Sequence, residues 1–173
     1  MKVNWFMLAI SAALLWGLGA FVNKIAVGIF KAPSTTAMLF MGVGIGASVI
    51  IYFLVKTPQL APWLKVFGIA LCALLAAFTV CVAAFHCPEL KWQGLAIAFL
   101  AGVIWTAGQV VVFIALDGGA NASRLAPIYN LNTVVTVILA LLFLSEGPGN
   151  FWGYARIAGA VICSIGTGLL VNF

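Results

Sequence analysis

Apolar side chains fall along this chain in six runs with short polar breaks between them: Trp5 to Val22, Thr36 to Val55, Val66 to Phe85, Ala96 to Leu116, Leu125 to Leu144 and Trp152 to Val171. Each run approaches the ~20 residues that a helix needs to cross a bilayer. The breaks carry helix-ending and helix-starting residues. Lys31-Ala-Pro-Ser34 precedes the second run, and Pro suits the first helical turn. Lys56-Thr-Pro58 closes that run, His86-Cys-Pro-Glu89 closes the third, and Glu146-Gly-Pro-Gly-Asn150 separates the fifth from the sixth. The fourth and fifth runs form a central pair around the polar turn Asp117-Gly-Gly-Ala-Asn-Ala-Ser-Arg124. Loops this short join antiparallel neighbours. The pattern therefore predicts an all-α integral membrane protein, a compact bundle of about six transmembrane helices forming one multi-pass domain over residues 1–173.

Composition agrees with the pattern. Of 173 residues, 65% are hydrophobic and 6% are charged, and the mean hydropathy is +1.25. A soluble domain of this size has too little interior for that much apolar surface, so the solvent is mostly lipid. The first run is longer than a signal-peptide core and is followed by Asn23-Lys24 rather than a small-residue cleavage site, so it is expected to be a permanent span. A net charge of +5 would suggest nucleic acid if the basic residues clustered. Here the eight Lys and Arg stand singly at the ends of apolar runs, where they snorkel to headgroups, and nucleic acid is not an expected partner.

Lipid gives helices no hydrophobic reason to associate, so close packing needs small residues at four-residue spacing. Ala9, Ala13 and Gly17 supply them in the first run, Gly42 and Gly46 in the second, Ala98 and Gly102 in the fourth, and Ala160, Ser164 and Gly168 in the sixth. All four sets are expected to be packing seams. A shift of 89 residues superposes Ala9, Ala12, Trp16, Gly19, Val22, Ile25 and Ala26 on Ala98, Ala101, Trp105, Gly108, Val111, Ile114 and Ala115. Three spans per repeat would make the halves inverted copies, an arrangement that places a transporter's site at the midplane. Six spans put Lys2, Lys56, Lys65 and Arg124 on one side and Lys24, Lys31, Lys91 and Arg156 on the other. An even count gives little bias to orientation, leaving both a single topology and an inverted dimer of oppositely inserted copies open.

Candidate chemistry is sparse. The carboxylates Glu89, Asp117 and Glu146 sit at span ends, His86 is the only histidine, and no HExxH or GxSxG motif occurs, so an enzyme is not expected. The cysteines Cys72, Cys81, Cys87 and Cys163 form no CxxC pair and read as small apolar residues. His86-Cys87 alone is too few ligands for a metal, and no cofactor is expected. Cys72, Thr79 and His86 recur every seven residues on one face of the third run, either a mildly polar stripe or a seam. Intramembrane amides and hydroxyls are costly in lipid and turn toward a bundle interior or cavity. Gln109 in the fourth run and Asn130, Asn132, Thr133 and Thr136 in the fifth are the candidates, with Asn130 and Thr133 sharing a helix face with Pro127. With Trp16, Trp105 and Tyr129 they would line a neutral cavity suited to an amphipathic organic solute. The same amides serve equally as bridges between helices.

Two stretches resemble the EamA-type family of the drug/metabolite transporter superfamily. Ala13-Leu-Leu-Trp16-Gly17 followed by Lys24 looks like that family's first helix. LAGVIWTAGQVVVFIAL, then Ala122-Ser123, Ala126-Pro127, Val134-Val-Thr136 and Leu144-Ser-Glu146, are similar to its third and fourth helices, and Gly153, Ala158-Gly159 and Gly166 to Leu170 to its fifth. The resemblance implies alternating-access transport of a small organic metabolite or drug-like solute across a cell membrane, the inner membrane of a prokaryote. It places Trp16, Trp105, Gln109 and Asn130 at the solute and Lys24 and Glu146 at the gates; the residue pattern adds Tyr129 and Thr133 to the lining and Pro127 to the gates. Such proteins carry two five-helix halves, so a six-span chain resembles a half-size member that works as a homo-oligomer. Small multidrug exporters are nearer in size, but Trp16 stands near the position of their intramembrane Glu. The alternative is an accessory membrane subunit without its own transport cycle.

Overall fold

A computed structural model of the chain describes residues 4–57, 59, 61–86, 92–144, 154–155, 157–162 and 166, the side chains of 82–86 excepted. The described residues form helices and turns without a strand: α1 Trp5–Gly28, α2 Ser34–Lys56, α3 Pro62–His86, α4 Trp92–Asp117, α5 Ala122–Tyr129 and α6 Asn132–Phe143. Five stretches are long and apolar enough to span a membrane, Trp5–Gly28, Ser34–Lys56, Pro62–Cys81, Trp92–Asp117 and Ala122–Phe143. The protein is an all-α, multi-pass membrane protein. The expected sixth span is helical over 157–162, and most of it lies outside the described residues.

The helices overrun the apolar runs by several residues at one or both ends, because nothing stops them at the first polar side chain. Lys24 is exposed inside α1, and the helix continues to Gly28. Its long stem lets the ammonium reach the interface from a buried turn. The chain then reverses through Lys31, held in the left-handed region at a φ of 56°, with the Phe30 N–H bonded to the Ile25 carbonyl and the Ala32 N–H to that of Ala26. At the end of α4 the Ala120 N–H reaches the Ala115 carbonyl and the Gly119 N–H that of Leu116. This Schellman closure needs a left-handed residue, supplied by Gly119 at φ 88°.

The described residues divide into two compact units, Met1–Phe21 with Ala107–Phe173, and Val22–Thr106; α1 and α4 each contribute one half to either. In the first unit Ala9, Ala115, Leu125 and Ile128 form a closed apolar cluster. In the second the cluster is Ala26, Ala32, Ala37, Leu95 and Ala98. These clusters correspond under the 89-residue shift, which carries Ala9 to Ala98 and Ala26 to Ala115. Burial repeats as well, since Ala9, Ala12, Ala26, Ala98, Ala101 and Ala115 are all completely enclosed. The same shift carries α1 onto 94–117 and α2 onto 123–145, close to α4 and to the α5–α6 span. Within each unit α1 and α4 run antiparallel. A Cβ at Gly108 would come 3.3 Å from the Ala12 carbonyl oxygen, and one at Gly94 would come 3.2 Å from that of Ala26.

Two of the four expected seams are buried throughout, and of the sixth-run set only Ala160 is described. Ala9, Ala13 and Gly17 are buried, as are Ala98 and Gly102, and Ala160; Ser164 and Gly168 lie outside the described residues. The second-run seam is displaced by two residues. Gly42 and Gly46 face open space, whereas a Cβ at Gly44 would run into the Phe99 carbonyl oxygen and one at Gly102 into that of Met41. Backbone meets backbone there, and only glycine on both helices permits it.

Candidate functional site

The fifth apolar run does not form one regular helix. It is split into α5 and α6 by a turn at Asn130 and Leu131, near the middle of the Ala122–Phe143 span. Pro127 inside α5 lacks the N–H that would bond the Ser123 carbonyl. Four residues on, the Leu131 N–H bonds the Ile128 carbonyl at 3.0 Å, a tightened turn in place of the regular i−4 contact. Asn130 and Asn132 flank the break, and their short amides compete with the backbone for its partners. Asn130 and Leu131 keep right-handed dihedrals, φ/ψ of −68°/−8° and −64°/−5°, so Asn130 and Thr133 lie on either side of a tightened turn and not of an unwound segment.

Around the break, the first unit packs α1 against α4, α5 and α6. The indole of Trp16 lies against the bare backbone of Gly108, where a Cβ would approach it to 2.6 Å. The Tyr129 ring meets it edge-on, with centroids 5.0 Å apart and planes at 78°. These contacts leave Trp16 8% exposed. At the next turn a Cβ on Gly17 would sit 2.5 Å from that of Val135 and 2.8 Å from the Asn132 carbonyl oxygen. The Thr136 hydroxyl donates to the Gly17 carbonyl at 3.2 Å and to its own helix at Asn132, 2.9 Å away.

The predicted site residues are thus placed unequally. Trp16 and Tyr129 touch, at the last residue of α5 before the break. Gln109, adjacent to Gly108 on α4, is half-buried, and so is Pro127. Asn130 and Thr133 are exposed, with the Thr133 hydroxyl bonded to the Asn132 amide oxygen at 3.2 Å. Trp105 and Lys24 belong to the second unit, where Trp105 is half-buried and Lys24 exposed. Glu146 lies outside the described residues, as do Cys87, Glu89 and the side chain of His86.

Two polar groups of the second unit carry more than the sequence pattern suggested. Thr106 is buried on α4, its hydroxyl donating to the Gly102 carbonyl at 3.0 Å and standing 3.5 Å from that of Ile45 on α2. Asn23 on α1 holds its side-chain carbonyl oxygen buried and without a hydrogen-bond partner among the described residues. An orphaned amide oxygen in an apolar span asks for a donor, a water or a solute N–H or O–H. Its one signal in the sequence is an Asn inside a helix that the apolar run alone would end at Val22.

Compared with family profiles, curated proteins and solved structures, the chain finds no match in any of the three.

Proposed function

We propose that this protein is a membrane transporter of small organic or drug-like solutes, a half-size member of the EamA type that works by alternating access as a homo-oligomer. The observation that carries the reading is the interrupted span. A membrane-spanning helix gives up backbone hydrogen bonds only where protein or a water-filled cavity satisfies them, and transporters use such discontinuities to hold their cargo at mid-depth. Here the break at Asn130 and Leu131 sits at mid-span, with Asn130 and Thr133 exposed beside it. In this reading Tyr129 and the edge of Trp16 take the apolar part of the solute, and the amides of Asn130 and Gln109 take its polar groups. Pro127, Lys24 and Glu146 shape the movement that opens the site to each side. The residues shared with the EamA pattern support the class, and the paired apolar clusters related by the 89-residue shift support an internal repeat.

A second reading, an accessory membrane subunit, has its own observation. Thr136 is fully engaged with Gly17 and Asn132, and Trp16 is almost enclosed, which is how polar residues act when they bridge helices. The two readings separate in proteoliposomes. Uptake of an amphipathic fluorescent dye by the purified wild-type chain is expected, and Asn130→Leu and Gln109→Leu should each reduce it about tenfold, the upper weight of one lost hydrogen bond. Wild-type vesicles no more permeable than protein-free ones, together with co-purification of an unlike subunit from native membranes, would favour the accessory role.

A further inference from the structure

Away from the break, the second unit contains a groove of about 720 Å³ between α2 and α3. It is open along one side, beside two glycines of α2 that no neighbour covers. Around Gly68 a Cβ would meet Ile50 and Leu54 at 3.3 to 3.9 Å, so α2 and α3 are in contact there. Toward the start of α2 a Cβ at Gly42 or Gly46 would meet nothing within 4 Å, and Leu39, Leu75 and Phe78 line the space around them. Only 6% of the α2 apolar window and 6% of that of α3 are buried, against 39% for α1. Lipid therefore has access to the groove.

The groove's chemistry selects what enters. Among its lining residues the Thr79 hydroxyl is already bonded to the Leu75 carbonyl of its own helix, so apart from the weakly polar Cys72 thiol the deep part offers hydrocarbon. Its span along α2, from Thr35 to Ala47, is about 18 Å at the helical rise, slightly more than half the ~30 Å hydrocarbon core. That is the depth of one leaflet. At the mouth the character changes. Thr35 is exposed. Four residues earlier stands the exposed ammonium of Lys31, set in its left-handed turn and without an ion-pair partner among the described residues. Pro33 occupies the N-cap position and supplies no capping side chain, so the adjoining helix end adds positive potential to that of Lys31.

We propose that the α2–α3 groove is a binding site for an anionic phospholipid of the surrounding bilayer, one acyl chain lying over Gly42 and Gly46 and the phosphate beside Lys31. The charge at the mouth distinguishes this occupant from a second copy inserted in the same sense; an oppositely inserted copy is distinguished by the oligomeric state in the test below. A parallel two-fold dimer across this face would bring the two Lys31 side chains to the same edge of the membrane.

The test uses the full-length chain in lipid nanodiscs, with bound phospholipid read by native mass spectrometry after detergent release. Wild-type protein should retain phosphatidylglycerol in preference to phosphatidylcholine by about fivefold, the weight of one lysine at an anionic surface. Lys31→Asn, which tolerates the left-handed backbone, should abolish the preference and leave total retention in place. Gly46→Leu should remove retention of both lipids without loss of thermal stability, because the new side chain grows into the groove. Equal retention of both lipids by the wild type would overturn the proposal, and so would undiminished retention by Gly46→Leu. A Gly46→Leu chain that falls from dimer to monomer with its lipid still bound would assign the groove to a second copy and overturn it too.

Discussion

Gly17 and Gly42 are both helical glycines in small-residue stripes, yet only one of them is irreplaceable. At Gly17 the nearest atoms are the Val135 side chain and the Asn132 carbonyl oxygen, and the latter is backbone that cannot turn aside. Gly17→Ala is expected to destabilise the protein by about 1–3 kcal/mol through overpacking, and also to lengthen the Thr136 contact with the Gly17 carbonyl. Gly42→Ala meets nothing within 4 Å and should leave the unfolding midpoint in detergent unchanged or slightly raised, since alanine restricts the unfolded chain. Thermal unfolding of the two variants side by side checks the contrast. The sequence placed both glycines in seams because four-residue spacing marks a face without saying whether a neighbour covers it. Gly44 carries the real contact, one face round from the predicted pair. Asn23 escaped notice for a related reason: a polar residue at the end of an apolar run looks like the start of a loop, and only the continued helix shows its carbonyl oxygen to be enclosed.

The spans were legible because lipid imposes their length. A run of about 20 apolar residues has one economical conformation in a bilayer, and the described helices follow all of the first five runs. Their ends were less legible, since a helix proceeds through Lys24 or begins ahead of Thr36 wherever the side chain can reach the interface. The division of the fifth span into α5 and α6 was only half legible. Pro127 announced a lost hydrogen bond, but the turn forms three residues later, where two amides flank Leu131. Restoring the missing donor tests what that break does. Pro127→Ala should strengthen the α5–α6 span, raising stability by on the order of 1–3 kcal/mol, while slowing dye uptake in proteoliposomes. Faster uptake, or unaltered uptake with the added stability, would detach the break from transport.

At the scale of the whole chain, the repeat explains more than any single motif. Two spans, α2 and α3, lie between α1 and α4, an even number, so the two helices cross the membrane in opposite senses, as their antiparallel contacts within each unit require. Equivalent alanines are enclosed in both units, but the polar residues are not repeated. The shift carries Asn130 back to Met41 and Thr133 to Gly44, so the amide and hydroxyl beside the α5–α6 turn have no counterpart in the first half. A scaffold doubled in packing and single in polarity fits a protein with one polar solute site on a repeated frame. The direct test is whether water reaches that site at mid-membrane. In a chain whose native cysteines are replaced, Asn130→Cys and, as a lipid-facing control at mid-depth on α1, Leu14→Cys are exposed in sealed vesicles to a membrane-impermeant maleimide applied from each side. The account predicts modification at position 130 and none at 14. Failure to modify position 130 from either side would mean that the break is packed within protein or lipid, and would contradict the transport reading.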